Sequence, residues 1–155
     1  MDPEELIRIL NDASRETETR DRYLFENNAA ERNIAARLAM SLQTRLPDWV
    51  VDSDYNRMNG RHPKRVTLPP ECAGYRNEKD EALTSPDVIV HRRGPDGPNL
   101  LVIEIKKTTN RDKGDCDRVR LHAFRGQLGY LYGALIHCET RERREPAMTI
   151  VEWLA

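Results

Sequence analysis

The sequence NLLVIEIK, residues 99–106, constrains this chain most, because it places a glutamate and a lysine in an otherwise apolar strand pattern. An acid is not expected inside a buried strand unless a partner or a cation offsets its loss of hydration. Alternate side chains of a strand share one face, so Glu104 and Lys106 project together. Ile103 and Ile105 then face the opposite side, toward a hydrophobic core.

A second β-rich run, PDVIVHR (residues 86–92), precedes it, and GPDG between the two is a strong turn signal. The pattern predicts an antiparallel hairpin in which Asp87 lies across from Glu104. Two carboxylates beside the Lys106 ammonium form a hard-oxygen site suited to Mg²⁺ or Mn²⁺. Such a cation polarises a phosphate oxygen and lowers the pKa of a bound water. The alternative is a solvated surface hairpin with a Glu–Lys pair and a turn aspartate.

Pro86-Asp87 followed by Glu104-Ile105-Lys106 resembles the motif of the PD-(D/E)xK nuclease superfamily. The resemblance implies that Asp87 and Glu104 ligate the metal, that the backbone carbonyl of Ile105 also ligates it, and that Lys106 is catalytic. It also implies a restriction endonuclease-like core. The segments ERNIAARLAM, DSDYNR, SPDVIVHRRG and NLLVIEIKK are similar to a group of small uncharacterised bacterial proteins of this fold.

Hydrophobic periodicity predicts an α/β fold, with a mixed central β-sheet flanked by α-helices, in a single domain spanning residues 1–155. Residues 1–25 form an N-terminal helical extension, and residues 58–84, rich in Gly, Pro and charge, form a loop or insertion. The remaining predicted elements are helices at 28–45 and from about 117 to 126–129, and strands at 49–56, 86–92, 99–106, 130–138 and 148–153.

Composition limits the environment and the partners. No apolar run approaches the ~20 residues of a membrane span, and the N-terminus carries acids where a signal peptide is basic, so we expect a cytoplasmic protein without a membrane partner. The net charge of −1 gives no overall basic field. Cys72, Cys116 and Cys138 are widely spaced and odd in number, which argues against both a disulfide framework and a zinc site.

Two further acids are candidates for the site. Glu31 lies on the apolar side of its helix, where members of the resembled superfamily often place a glutamate near the metal. Its spacing from Asn28 equally fits a capping box. Asp52 and Asp54 are predicted to share a strand face, and Asp54 is the better placed to point toward the metal, although a turn or salt-bridge role fits it as well.

Three other side chains are weaker candidates. His91 lies on the Asp87 face of its strand and could touch substrate, but a satisfied or exposed histidine is the simpler interpretation. Lys107 follows the catalytic lysine and points to the opposite face, where a solvated lysine is expected. Gln127 lies where some superfamily members carry a QxxxY element, although the spacing to Tyr130 here is QxxY.

The leading functional hypothesis is a metal-dependent nuclease that hydrolyses phosphodiester bonds, most readily in DNA. Arg57, Arg61 and Lys64 are the candidate contacts to the nucleic-acid backbone, and such contacts position a strand without reading its sequence. A homodimer or larger assembly is compatible with this hypothesis. The alternatives are a catalytically silent nuclease-fold module that binds or assembles, and a structural protein with a fortuitous motif.

Overall fold

A computed structural model of the chain describes residues 1–55, 65–73, 82–94, 97–111 and 114–155. The insertion predicted at residues 58–84 therefore lies only partly within the described residues. Within these ranges, no helix is both long enough and apolar enough to cross a membrane.

The described residues form four helices and seven strands. Their bounds are α1 Pro3–Arg20, α2 Arg22–Glu26, α3 Glu31–Arg45, β1 Val50–Ser53, β2 Arg65–Val66, β3 Ala82–Leu83, β4 Val88–His91, β5 Asn99–Lys107, α4 Asp115–Leu128, β6 Tyr130–Glu139 and β7 Ala147–Leu154.

Five of the strands form one sheet in the order β1-β4-β5-β6-β7. Strands β5 and β6 are parallel, and every other neighbouring pair is antiparallel. Helix α4 supplies the long crossover that a parallel pair requires. The predicted β4–β5 hairpin and the mixed sheet flanked by helices are both confirmed.

Hydrophobic clusters cover both faces of the sheet. On one face, Ile34 and Leu38 of α3 pack with Ile103 and Ile105 of β5, and α1 contributes further leucines to the same cluster. On the other face, α4 packs against the neighbouring strands, and its core side chains are Leu121 and Phe124, which join Ile89, Val102 and Leu135. Strand β5 is thus buried on both faces, which makes a glutamate within it costly.

Local signals explain where the N-terminal helix begins. The Asp2 side chain accepts a hydrogen bond from the N–H of Glu5 at 3.1 Å, and Pro3 occupies the first helical turn. Both features are typical of a helix start. Helix α1 then packs against α3 and β7, and Glu18 Oε1 accepts a hydrogen bond from the N–H of Met148 at 2.6 Å.

Two short elements were not anticipated by the sequence pattern. Strands β2 and β3 pair antiparallel within the segment predicted to be a loop or insertion. Gln127 of α4 holds this segment by exchanging two hydrogen bonds with the backbone of Thr67, at 2.8 and 2.9 Å. Neither strand is longer than 2 residues, too short for a periodic signal.

The cysteine count argued against a disulfide framework, but the structure contains a disulfide. Cys72 and Cys116 are joined by a disulfide across a sequence separation of 44, which ties the segment after β2 to the first turn of α4. An odd total of three cysteines is compatible with one bridge and one buried free thiol, that of Cys138. Disulfides are typical of oxidising compartments and rare in the cytosol. The bridge therefore does not support the predicted cytoplasmic location, which stays a prediction.

Candidate metal and reaction site

Asp87 and Glu104 come together through the register of the β4–β5 hairpin. Val88 pairs with Ile103, so Asp87, one residue earlier, stands level with Glu104. Residues opposite each other in an antiparallel pair share a face, with Cβ atoms about 4.5–5.5 Å apart. The Oδ2 atom of Asp87 accepts a hydrogen bond from the N–H of Ile105 at 2.7 Å, which fixes the carboxyl group beside β5.

Glu104 is a buried acid with one bonded oxygen. Its residue is 2% exposed, and Arg120 donates to Oε2 from Nε and Nη2, each at 3.2 Å. The other oxygen, Oε1, is buried and has no hydrogen-bond partner among the described residues. Burial, followed by the nearby charge of Asp87, raises the pKa of Glu104 well above its usual range, although Arg120 opposes this.

The pKa of Asp87 is raised as well. Burial raises its pKa to about 7, the hydrogen bond from Ile105 opposes the rise, and the charge of Glu31 adds to it. Two neighbouring acids whose burial disfavours the ionised form, and of which Asp87 further disfavours ionisation of Glu104, make a natural position for a bound cation.

Helix α4 contributes two charged groups that the sequence motif did not reveal. Asp117 is 3% exposed, and its Oδ2 lies 2.9 Å from Lys106 Nζ. Arg120 donates to Asp117 Oδ1 in addition to Glu104. Arg120 therefore lies between Glu104 and Asp117, and Asp117 lies between Arg120 and Lys106. Lys106 is held by Asp117 on the Glu104 face of the sheet.

A sequence signal for Asp117 did exist. Asp117, Leu121 and Phe124 are spaced as one face of a helix, and all three are buried. An acid on the apolar face of α4 is as unusual as Glu104 in β5, and the same physical argument applies to both.

Glu31 lies near this cluster and does not form a capping box. Ala30 is the N-cap of α3, with no side-chain capping bond. The Oε1 atom of Glu31 instead accepts from the N–H of Lys107 at 2.9 Å and from Asn110 Nδ2 at 2.6 Å. Its charge influences the pKa of Asp87, so the helix glutamate and the hairpin acids belong to one electrostatic group.

The prediction that Lys107 is solvated is wrong. Its Nζ donates to the backbone carbonyls of Asn28 and Ala29, at 3.2 and 3.1 Å. These carbonyls precede helix α3, so Lys107 ties the end of β5 to the start of that helix. A long-range contact of this kind leaves no trace in strand periodicity.

The prediction that Asp52 and Asp54 share a strand face is also wrong. Strand β1 ends at Ser53, and Asp54 adopts a left-handed backbone conformation with φ 52°. Its N–H donates to the carbonyl oxygen of Asp87 at 3.1 Å, while the residue itself is exposed. Asp54 therefore supports the Asp87 backbone.

The remaining candidates lie outside the acid cluster or outside the described residues. His91 is 5% exposed, with Nε2 placed 2.9 Å from Asp52 Oδ2, which makes it a satisfied buried histidine. Gln127 bonds to Thr67 as described above, and Tyr130 is 3% exposed in the core. The candidate nucleic-acid contacts, Arg57, Arg61 and Lys64, lie outside the described residues.

No protein-family model, curated protein or solved structure matches this chain. The resemblance to the PD-(D/E)xK superfamily therefore remains a prediction from the motif.

The carboxylate oxygens of Asp87 and Glu104 suit a small hard cation that keeps several water ligands. No group of three or more His, Cys, Asp or Glu residues arranged around a common metal position is found in the described part of the chain. Mg²⁺, however, commonly binds through one or two carboxylates and keeps several waters. Glu104 Oε1 is buried without a partner, and Asp87 uses only Oδ2 in a hydrogen bond to the described residues.

Proposed function

We propose that this protein is a Mg²⁺- or Mn²⁺-dependent nuclease with a restriction endonuclease-like core, and that DNA is its substrate. The observation that carries the proposal is the pairing of Asp87 with Glu104 on the face that also holds Lys106. A buried carboxylate oxygen without a partner, Glu104 Oε1, supports the assignment of a cation to this position. The overall reaction is addition of water to phosphorus with loss of one sugar oxygen, giving a phosphomonoester and a hydroxyl.

Each charged side chain has a distinct task in this proposal. Asp87 and Glu104 would hold the cation, and the backbone carbonyl of Ile105 is the third candidate ligand. A cation held there would polarise the phosphate and lower the pKa of a bound water. Glu31 would act on the site from its edge, through its charge on Asp87 and its hydrogen bond to the β5 backbone.

Lys106 is the group suited to the charge that develops at phosphorus. Its ammonium lies 2.9 Å from Asp117 Oδ2, and its side chain is only 12% exposed. A preorganised positive group in a poorly solvated position stabilises a developing oxyanion more strongly than a solvated one does. Asp117 is a positioning residue in this account, because it acts through Lys106.

Arg120 supports a second candidate function, a catalytically silent module that binds or assembles. Its guanidinium already offsets the charge of Glu104 and Asp117, and Lys106 is paired as well. The cluster could therefore persist as a closed network of buried ion pairs without metal or turnover. The nuclease proposal requires Arg120 to leave Glu104 Oε1 available, as it does here.

Cleavage assays separate the two functions. The purified protein would be incubated with supercoiled, linear, single-stranded and branched DNA and with RNA, in Mg²⁺, in Mn²⁺ and in EDTA. We expect metal-dependent cleavage of DNA, and a loss of at least ~100-fold in Lys106→Ala, the scale on which a single oxyanion-stabilising group acts.

Lys107→Ala is the matched control, since Lys107 is the neighbouring lysine but bonds to backbone carbonyls before α3. Its cleavage rate should stay close to that of the parent protein, provided that circular dichroism shows both variants folded. Absence of cleavage on every substrate, or equal rates for the parent and Lys106→Ala, would support the silent module and overturn the nuclease.

A further inference from the structure

An open cleft of about 490 Å³ lies where strands β5 and β6 end and strand β7 begins. Thr108 after β5, His137 of β6 and Thr149 of β7 line it, together with Arg144 from the β6–β7 connection. Pockets of roughly 300–1,000 Å³ are typical of small-ligand sites, so its size suits one nucleotide unit.

The register of the sheet makes this cleft continuous with the reaction face. Lys106 pairs with His137 in the parallel β5–β6 ladder, and His137 pairs with Thr149 in the β6–β7 ladder. Side chains at paired positions share a face, so Lys106, His137 and Thr149 form one row across three strands.

Gly114 closes the inner end of this row. A Cβ atom added to it would lie 3.5 Å from Lys106 Cγ, 3.6 Å from Asp117 Oδ2 and 3.8 Å from His137 Nε2. The backbone before α4 therefore approaches the reaction lysine and the cleft histidine together, and its φ of 88° favours glycine.

His137 has hydrogen-bonding capacity that the described residues do not use. Its Nε2 is buried and has no hydrogen-bond partner among them. Burial lowers the pKa of His137, and the positive charge of Arg118 lowers it further, which favours a neutral ring. Because Nε2 has no solvent-exposed surface, a ligand in the cleft would meet the exposed part of the half-buried imidazole ring, which lines the cleft.

Among the described residues that line the cleft, the exposed side chain of Arg144 is the cation available to an anionic ligand. Glu139 is bonded to Arg141, and Glu145 is bonded to Arg22, so both acids have partners. The Arg144 side chain has no ion pair within the described residues. Guanidinium groups bind phosphate through charge-assisted, often bidentate, hydrogen bonds.

We propose that this cleft is a nucleotide subsite, in which Arg144 binds a phosphate and the imidazole ring of His137 contacts the same nucleotide next to the phosphodiester held at Lys106. The inference rests on the proposed nuclease function for its orientation, and it names nucleoside monophosphate units as the ligand class. It predicts that a free nucleotide binds without metal and without cleavage.

Imidazole NMR spectra of metal-free, ¹⁵N-histidine-labelled protein test this directly, with the His137 signals assigned from His137→Gln. Thymidine 5′-monophosphate should produce a saturable shift at His137. Thymidine and inorganic phosphate should each bind at least about tenfold more weakly, because each lacks one half of the ligand.

Arg144→Gln should weaken binding of the monophosphate by about tenfold or more, since a charge-assisted bond is lost. Arg143→Gln is the matched control, because Arg143 lies beside it with a side chain 91% exposed and does not line the cleft; its affinity should be unchanged. No saturable shift, equal affinity for thymidine, phosphate and the monophosphate, or equal weakening by both substitutions would overturn the subsite.

Failure of this proposal can be told apart from failure of the nuclease. Cleavage of DNA by a protein whose His137 signals ignore the monophosphate would remove the subsite and leave the nuclease in place. Binding of the monophosphate by a protein that cleaves no substrate would retain the subsite as part of a silent binding module.

Discussion

Glu16 of helix α1, which faces α3, and Glu104, in the middle of the sheet, both accept hydrogen bonds from arginine, yet their pKa values shift in opposite directions. Glu16 accepts from Arg20 at 2.7 Å, and from Ser41 and Arg45 at 2.5 Å each. The bond from Ser41, followed by those from the two arginines, lowers its pKa to about 2. Glu104 is buried with one oxygen unbonded, and its pKa is raised.

The difference distinguishes a carboxylate that stabilises the fold from one that weakens it. Glu16 has bonds to both oxygens and lies where water can still screen it, so ionisation is favoured. Glu104 and Asp87 lie at the hairpin, where burial opposes ionisation of both. Groups whose pKa is shifted by burial and by a neighbouring charge are concentrated at functional sites, which is why the second region is our candidate site.

The largest expected effect is on catalysis. Glu104→Gln removes the charge that the cation needs and should reduce the cleavage rate by at least ~100-fold, comparable to loss of one electrostatic group at a reaction centre. Glu16→Gln removes a glutamate that is bonded to arginine outside the site and should leave the rate within about twofold. Initial cleavage rates at saturating Mn²⁺ measure both. Equal losses would show that the two regions do not differ in function.

A smaller effect is expected on the pH dependence of stability without metal. A carboxyl with a raised pKa in the folded state binds more protons there than in the unfolded state, so stability falls as pH rises across that interval. For Asp87 the interval runs from about pH 4, its unfolded value, to about pH 7, and Glu104 shifts in the same direction.

Glu104→Gln should remove much of that fall. Relative to the parent, the free energy of unfolding of the variant should improve by on the order of 1–3 kcal/mol between pH 4 and pH 8, the cost of a poorly satisfied buried group. Urea unfolding of both proteins in EDTA across this range measures the change. Parallel pH profiles would show that Glu104 ionises in the folded protein as easily as in the unfolded chain.

The smallest effect is expected at Glu16, with the opposite sign. Its lowered pKa means that its stabilisation is present above the unfolded value and is lost as pH falls toward about 2. Glu16→Gln should be less stable than the parent at pH 7 and approach it below pH 3. Because the Glu16 side chain is 28% exposed, solvent screening keeps this change below that at Glu104. An unchanged difference across the acid range would contradict the comparison.

The sequence was sufficient for the hairpin and for the pairing of its acids. A period of two in β5 and a strong turn signal predict the face and the register, because both depend on residues near in sequence. The confirmed hairpin places Asp87 level with Glu104 for the reason that the alternation suggested. Helix α4 was likewise predictable from the spacing of Leu121 and Phe124.

Contacts between segments distant in sequence could not be predicted from strand alternation or helical spacing. Arg120 reaches Glu104 across the β5–α4 connection, Lys107 bonds to the segment before α3, and Cys72 meets Cys116 across the fold. None of these pairs has a periodic signature, since each depends on how helices pack on the sheet. The prediction for Asp54 failed for a local reason, because strand β1 ends at Ser53 and the left-handed backbone of Asp54 breaks the alternation.

The central claim is that Asp87 and Glu104 form a cation site, and Mn²⁺ binding measured by calorimetry tests it most directly. The parent protein should bind Mn²⁺, Asp87→Asn and Glu104→Gln should each lose at least about tenfold in affinity through loss of a charged oxygen ligand, and Glu16→Gln should bind as the parent does. Equal Mn²⁺ affinity in the parent, Asp87→Asn and Glu104→Gln, with all three folded, would contradict the account.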